Sequence, residues 1–108
     1  MKRSERNSRP GRESLSKRLG KVARQIKARD GHCCRYCAAT AESSGAPLQL
    51  DHLDAKSEGG ADVASNLVLA CRFCNRQKSN MPLVAWCSLR SIDETALRAH
   101  AAQPLPAL

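Results

Sequence analysis

Two short cysteine motifs constrain the fold of this chain more than any other feature. Residues 34–37 read CRYC and residues 71–74 read CRFC, so both have the form C-R-aromatic-C. A two-residue spacer lets both sulfurs of a pair face one point, and two pairs can supply the four thiolates of a tetrahedral Zn²⁺ site. The sequence therefore predicts a structural zinc ion with four ligands, Cys34, Cys37, Cys71 and Cys74.

The small number of core-forming residues supports this prediction. The chain has 108 residues, which indicates a single domain, and it contains one Trp, one Tyr and one Phe. Such a chain buries a modest apolar core. A structural metal ion would supply folding free energy that this core lacks.

Other interpretations of the thiols and of two histidines stay open at this stage. A single Cys-x-x-Cys pair can be a redox-active dithiol, but two pairs in a chain without a βαβ pattern argue against that role. Cys33 could compete with Cys34 as a zinc ligand, and so could the neighbouring His32. Cys87 lies in an apolar segment and is predicted to be a small core residue. His100 has no partner motif, and we interpret it as incidental.

The positive charge is concentrated at one end of the chain. The formal net charge is +8; residues 1–29 hold eleven Lys and Arg against two Glu, whereas residues 30–108 have a net charge of −1. A basic block of this kind suits a nucleic acid backbone, because each neutralised phosphate releases counterions without any need to read the base sequence. The alternative is a solvated tail that only keeps the protein soluble.

The sequence predicts a cytoplasmic protein with no membrane partner. The basic N-terminus is not followed by the apolar run of a signal peptide, and no apolar segment approaches the length of a membrane span. In the cytosol, paired cysteines bind metal more often than they form disulfides.

Hydrophobic periodicity gives a coarse map of the chain. Residues 1–13 are predicted to be a disordered basic arm, and residues 14–103 a single domain with a core motif at 29–80 and C-terminal helices at 82–103. A basic amphipathic helix, weakened by Gly20, is expected before the turn at Asp30. The further expected elements are a loop at 42–47, a strand in LQLDHL, a short β-prone run at 67–69, and helices at 72–79, after Pro82, and after a cap at Ser91 or Asp93.

The segment between the thiol pairs resembles one known family. CRYC, LQLDHLDAKSEGG and SNLVLACRFCNRQK follow one another as in the zinc-knuckle group of HNH endonucleases, over about residues 29–79. Two positions depart from the family pattern. Ala55 stands where the family usually has Pro, and Ser79 where it often has Gly.

This resemblance implies a catalytic site. His52 would be the general base, since a neutral imidazole accepts a proton near pH 7. Asp51 and Asn75 would hold a catalytic Mg²⁺ or Mn²⁺, and a hard carboxylate oxygen suits such an ion. Asn66 would hold the hairpin loop and orient His52. The expected phosphate contacts are Arg72, Arg76, Lys78 and Lys56.

The resemblance also implies the fold class and the function. We expect an α+β, treble-clef-like ββα-metal domain, with a two-stranded hairpin ending in Asp51 and His52, then a strand and a helix carrying Asn75. An N-terminal basic helix and C-terminal helices would flank it. The expected activity is metal-dependent hydrolysis of DNA that leaves 5′-phosphate and 3′-hydroxyl ends. The alternative is a non-catalytic zinc-binding nucleic acid module.

Several properties stay open on the sequence alone. RNA is not ruled out as a substrate, and the sequence does not distinguish nicking from double-strand cleavage. Sequence specificity, the preferred catalytic metal and the oligomeric state are equally open. So are the biological role, whether phage packaging, homing or defence, and the identity of any phage or mobile-element partner protein.

Overall fold

The structure, a computed structural model, describes residues 14–108. The predicted disordered arm at 1–13 lies outside the described residues. The helices are α1 (Leu15–Leu19), α2 (Lys21–Arg29), α3 (Ala41–Ser44), α4 (Arg72–Lys78), α5 (Leu83–Arg90) and α6 (Glu94–Ala101). The strands are β1 (Gln49–His52) and β2 (Leu67–Ala70).

The predicted N-terminal helix is divided into two at Gly20. The hydroxyl of Ser14 accepts a hydrogen bond from the Lys17 amide at 3.1 Å and so caps α1. Gly20 has φ 55° and ψ −115°, a conformation that L side chains rarely adopt, and it ends α1 and begins α2. The Gly that weakens the helical pattern in the sequence therefore breaks the helix outright.

One antiparallel pair of strands forms the sheet of the described part of the chain. The register pairs Gln49 with Ala70 and His52 with Leu67. All four residues of β2 are buried, which explains why this strand has an apolar run instead of an alternating pattern. The strand that precedes α4 is the second strand of the hairpin, so the prediction of a separate third strand is wrong.

The loop predicted at 42–47 begins with a short helix. Thr40 and Ser43 form a reciprocal capping box, with hydrogen bonds of 3.0 Å to the Thr40 hydroxyl and 2.8 Å to the Ser43 hydroxyl. This local capping stabilises a single helical turn, α3, which the apolar periodicity of the sequence does not predict.

The two positions that depart from the family pattern differ in their backbone geometry. Ala55 has φ −60° and ψ 149°, values that proline also adopts, so the backbone geometry there is the one a Pro would impose. Ser79 has φ 47° and ψ −125°. That region favours glycine, so Ser79 occupies a strained position at the end of α4.

A buried arginine ties the hairpin to the C-terminal helix. The Arg29 side chain is only 2% exposed. Its guanidinium donates to the carbonyl oxygens of Leu67 at 2.6 Å, Ala64 at 3.1 Å and Ala101 at 2.9 Å. The sequence places Arg29 in the basic block that is predicted to suit nucleic acid. The structure corrects this for Arg29, because its guanidinium binds carbonyl oxygens inside the fold.

Asp30, the next residue, completes the buried network. Its carboxylate accepts hydrogen bonds from the Leu69 amide at 2.8 Å and from His100 at 2.6 Å. Burial acts to raise the pKa of Asp30, but the hydrogen bonds from Arg29, Leu69 and His100 outweigh it and lower the pKa. The interpretation of His100 as incidental is therefore wrong, since it joins α6 to the end of α2.

The core lies between the hairpin, the first thiol pair and the C-terminal helices. Trp86 is fully buried, and the Tyr36 ring meets it edge to face with centroids 5.5 Å apart. Cys87 is buried beside them, as predicted. Asp93 caps α6 through a 3.1 Å hydrogen bond from Ala96, which decides between the two predicted caps.

The two strands and α4 make a small α+β domain of the predicted ββα-metal type. Arg98 of α6 holds the loop between the strands through hydrogen bonds of 3.0 and 2.8 Å to the Asp54 carboxylate. These bonds from Arg98 lower the pKa of Asp54. The flanking helices thus anchor the loop that carries part of the site described below.

Candidate active site

The four predicted zinc ligands converge on one point. The sulfur atoms of Cys34, Cys37, Cys71 and Cys74 all lie within 4.8 Å of one another. Cys33 is outside this group, and its sulfur instead contacts the Gly31 carbonyl oxygen at 3.2 Å. Four convergent thiols are the donor set of a closed structural zinc site, so the cluster fits Zn²⁺.

The acidities of these thiols favour a metal site over a redox pair. Burial raises the pKa of Cys34, and it raises the pKa of Cys74 well above its usual range. For Cys71 burial acts in the same direction, but hydrogen bonds from Cys74, beginning with its backbone amide, lower the pKa. A reactive dithiol needs a stabilised and accessible thiolate, and the raised pKa values of the buried Cys34 and Cys74 do not favour one, so zinc binding would have to release their protons.

Arg90 places a positive charge beside the thiols. Its guanidinium donates to the Cys74 sulfur at 3.5 Å and lies 4.9 Å from the centroid of the Trp86 ring. Four thiolates around a bound Zn²⁺ would carry a net negative charge, which this guanidinium would partly offset. The contact also connects α5 to the start of α4.

Asp51 is held by two donors inside the domain. Its side chain is 8% exposed, and its Oδ2 atom accepts a hydrogen bond from the Tyr36 hydroxyl at 2.6 Å and lies 3.3 Å from the Lys78 ammonium. Burial raises the pKa of Asp51, while the bonds from Tyr36 and Lys78 act to lower it. Burial and the Asp51 charge also raise the pKa of Tyr36 far above its usual value, so the phenol stays a donor.

Lys78 does not lie where a phosphate contact would need it. Its side chain is 1% exposed, and its Nζ atom donates to the His52 carbonyl oxygen at 2.6 Å. Together with the ion pair to Asp51, this places the ammonium beneath the end of β1. The predicted phosphate contact at Lys78 is therefore corrected, because the charge is used to hold the strand that carries Asp51 and His52.

His52 is paired with an acidic residue that the sequence did not single out. Its Nε2 atom lies 2.7 Å from Oδ1 of Asp62. The hydrogen bond from His52 lowers the pKa of Asp62 to about 2, so the carboxylate is ionised and accepts the bond. The Nε2 atom therefore carries the proton, and the lone pair of a neutral ring lies on Nδ1.

Asp62 was missed because its sequence context carries no distinguishing signal. It comes two residues after a Gly-Gly pair, and the same loop has two other carboxylates, Asp54 and Glu58. Two cations also contact Asp62 Oδ2, Arg18 at 3.2 Å and Lys56 at 3.3 Å. The exposed Arg18 of α1 is thereby brought next to His52, 34 positions further along the chain.

Asn66 fixes the shape of the loop between the strands. Its side-chain oxygen accepts from the Asp54 amide at 2.9 Å, and its amide nitrogen donates to the carbonyl oxygens of Asp54 and Ala61, both at 3.0 Å. A Cβ at Gly60 would lie 1.8 Å from the Asp54 carbonyl oxygen, so this position has no room for a side chain. Asn66 thus holds the loop that carries Asp62, and Asp62 in turn contacts His52.

Asn75 lies across a cleft from the end of β1. Asp51, His52, Lys56 and Asn75 all line this cleft, which has a volume of about 340 Å³. The amide nitrogen of Asn75 donates to the side-chain oxygen of Gln49 on β1. Cys71 caps α4, with its sulfur accepting from the Cys74 amide at 3.4 Å, so the thiol cluster sets where the helix begins and where Asn75 lies.

The remaining predicted phosphate contacts are accessible. Arg72 and Arg76 are exposed on α4, and the Lys56 side chain is 59% exposed at the cleft. Neither arginine forms an ion pair with another residue of the described range 14–108. They are therefore free to contact an anion.

Comparison with known proteins agrees with this geometry. The model of the HNH endonuclease family matches residues 34–81. Over these 48 of its 108 residues the chain is similar to the HNH endonuclease family. The match begins at Cys34, extends beyond Cys74, and contains every residue that lines the cleft. The HNH segment therefore supports a nuclease-type function.

One curated relative is similar to about half of the chain. The chain is 39% identical over 57 residues to the CRISPR-associated endonuclease Cas9 of Actinomyces naeslundii. The alignment covers 52% of this chain but only 5% of the relative, so the likeness extends to one small part of that protein. No solved structure matches the chain with significance. No helix among residues 14–108 is long and apolar enough to cross a membrane.

Proposed function

We propose that the HNH domain is a metal-dependent endonuclease that hydrolyses phosphodiester bonds in DNA. The observation that carries this proposal is the cleft in which Asp51, His52 and Asn75 meet, although 23 positions separate His52 from Asn75 in the sequence. An imidazole in this cleft can act as a base, and a carboxylate and a carboxamide can supply oxygen ligands to a metal ion, which together support metal-assisted hydrolysis of a phosphodiester.

His52 is the general base in this proposal. Asp62 accepts the Nε2 proton, so the Nδ1 atom is the one that takes a proton from the attacking water. The same carboxylate stabilises the imidazolium that results. Asn66 acts indirectly, because it holds the loop from which Asp62 contacts His52.

Asp51 and Asn75 are the proposed ligands of the catalytic divalent ion. Tyr36 and Lys78 engage Oδ2 of Asp51, and Gln49 engages the amide nitrogen of Asn75. One oxygen on each side chain therefore remains for a hard cation, so the residues fit Mg²⁺ or Mn²⁺. When bound, such an ion would stabilise the charge that develops on the phosphate and the leaving oxygen.

Positive side chains around the cleft are proposed to hold the DNA backbone. Arg18 and Lys56 lie at the Asp62 side of the cleft, and Arg72 and Arg76 lie on α4. Contacts of this kind position a substrate without reading its sequence. The zinc site has a separate role in this proposal, which is to fix the start of α4. Residues 14–103 form one domain in the same proposal.

Plasmid cleavage tests the proposal. Supercoiled DNA is incubated with the zinc-loaded protein and Mg²⁺, Mn²⁺ or no added ion, and nicked and linear products are separated on a gel. We expect cleavage that requires the added ion, and we expect His52→Ala to lower its rate by roughly 10²- to 10⁴-fold. His32→Ala is the matched control, since His32 has no contact with the cleft, and it should cleave like the unchanged protein.

Two results would contradict the proposal. Cleavage that continues unchanged in His52→Ala would show that another group is the base. A protein that shifts DNA in a gel but cleaves none with any divalent ion would be the non-catalytic zinc module. In each case the zinc content of the variant is measured first, so that loss of activity is not confused with loss of the fold.

A further inference from the structure

The two C-R-aromatic-C motifs place their aromatic rings in opposite environments. Tyr36 of the first motif is 8% exposed, packs on Trp86 and bonds to Asp51. Phe73 of the second motif is 61% exposed. The same local pattern thus gives one core residue and one large apolar ring that faces solvent, so the spacing of the cysteines does not account for Phe73.

Phe73 lies on the same face of α4 as three polar side chains. A helix turns by about 100° per residue, so positions 72, 73, 76 and 77 share one side. They line a surface groove of about 530 Å³ together with Ser44, the last residue of α3. Asn75 projects from the neighbouring side, into the proposed catalytic cleft.

The composition of this groove points to one class of ligand. Its lining within the described range has two guanidinium groups, Arg72 and Arg76, one carboxamide, Gln77, one hydroxyl and no carboxylate. An exposed aromatic ring beside cations is an arrangement with which proteins bind unpaired nucleotides, where the base stacks on the ring and the phosphates contact the cations. A paired base cannot stack in this way, because both of its faces are already covered within the duplex.

We infer that the Phe73 groove is a subsite for an unpaired nucleotide of the DNA strand whose phosphodiester bond enters the cleft. This inference rests on the proposed function for the choice of DNA as ligand and for the cleft as the place where the strand is cut. It adds the substrate class: a single-stranded or locally unpaired region in preference to an intact duplex. Around the axis of α4, Arg72 and Arg76 lie between Phe73 of the groove and Asn75 of the cleft, so one backbone could run along both.

Binding measurements on Phe73 variants test the inference. Fluorescence anisotropy gives Kd for a labelled single strand and for the matching duplex, at one salt concentration and without added Mg²⁺ or Mn²⁺, so that the DNA stays intact. Stacking on one ring predicts that Phe73→Ala weakens single-strand binding by at least about fivefold. Duplex binding should change by less than about twofold, since it depends on the cationic side chains and not on the ring.

Two further variants separate stacking from apolar contact. Phe73→Leu keeps an apolar side chain but removes the π face, so it should bind a single strand as weakly as Phe73→Ala. Phe73→Trp should keep the affinity of the unchanged protein. The fluorescence of its exposed indole should be quenched by a single strand, whereas that of the buried Trp86 in the unchanged protein should not. Leu89→Ala is the matched control, because Leu89 is 64% exposed on α5, away from the groove, and it should leave both Kd values unchanged.

The outcomes distinguish this inference from the proposed function. Single-strand affinity that Phe73→Ala leaves unchanged would overturn it, and so would a Phe73→Leu variant that binds like the unchanged protein. An unchanged DNA affinity with an altered oligomeric state in sedimentation would assign Phe73 to a protein interface instead. Plasmid cleavage is scored separately: cleavage with no effect of Phe73→Ala removes only the subsite, and weakened single-strand binding without any cleavage removes only the catalysis.

Discussion

Replacing Lys78 by methionine tests the account of the site most directly. Methionine has a similar length and no charge, so Lys78→Met removes the ion pair to Asp51 and the 2.6 Å bond to the His52 carbonyl oxygen with little change of volume. The two side chains are 1% and 8% exposed. Removing one partner of such a buried pair costs about 3–5 kcal/mol of unfolding free energy, because the other charge stays buried.

Chemical denaturation of the zinc-loaded protein, followed by circular dichroism, measures this loss. Lys56→Met is the matched control, because the Lys56 side chain is 59% exposed and solvent screens its ion pair to Asp62, so the variant should lose little stability. The double variant Asp51→Asn with Lys78→Met should recover much of the stability, since it removes the uncompensated carboxylate. Asp51→Asn alone completes the cycle.

Two results would refute the reasoning on Lys78. A loss no larger than that of Lys56→Met would mean that the Lys78 ammonium is solvated and is not the buried partner of Asp51. A double variant no more stable than Lys78→Met would mean that the cost lies in packing, not in the buried carboxylate. The first result would also restore Lys78 as a candidate phosphate contact.

Three further predictions concern the metal, the loop and the base. Cys71→Ser should lose the bound zinc, measured by atomic absorption, together with folding free energy on the order of 10 kcal/mol, whereas Cys87→Ser should keep the zinc. Gly60→Ala places a Cβ 1.8 Å from the Asp54 carbonyl oxygen, so its melting temperature should fall clearly below that of the unchanged protein. Asp62→Asn should lower kcat by up to roughly 100-fold, since it misaligns the His52 base. KM should change little, because the variant removes no cation that would bind DNA. An equally large effect on KM would contradict the role of Asp62 in orienting His52.

The elements of the fold were predictable where the signal is local. The strand at LQLDHL and the helix after Cys71 follow from residue period and spacing, and β2 from its β-prone apolar run. The thiol cluster was predictable for the same reason, because a two-residue spacer fixes the relation of two sulfurs within one turn of chain. The short helix α3 was not predicted, since two hydroxyls stabilise it and no apolar stripe does.

The candidate site was predictable in part. Asp51, His52 and Asn75 were identified through the order of the family motif, and the structure brings all three to one cleft. Asp62 was not identified, because its pairing with His52 depends on how the loop returns to the strand. The hydrogen bonds of Asn66 and the close packing at Gly60 determine the path of this loop, and both kinds of contact form only in the folded chain.

The sequence by itself determined the ligands of the predicted zinc site, the frame of the HNH motif and the positions of the strands. These depend on spacing within a few residues, which the covalent chain imposes in any environment. Only the tertiary structure decided that Lys78 is buried under β1 while Arg76 is exposed, and that Tyr36 enters the core while Phe73 faces solvent. Two cations on one helix, and two aromatic residues in one motif, therefore have different roles. Distant segments pack against one member of each pair and leave the other exposed.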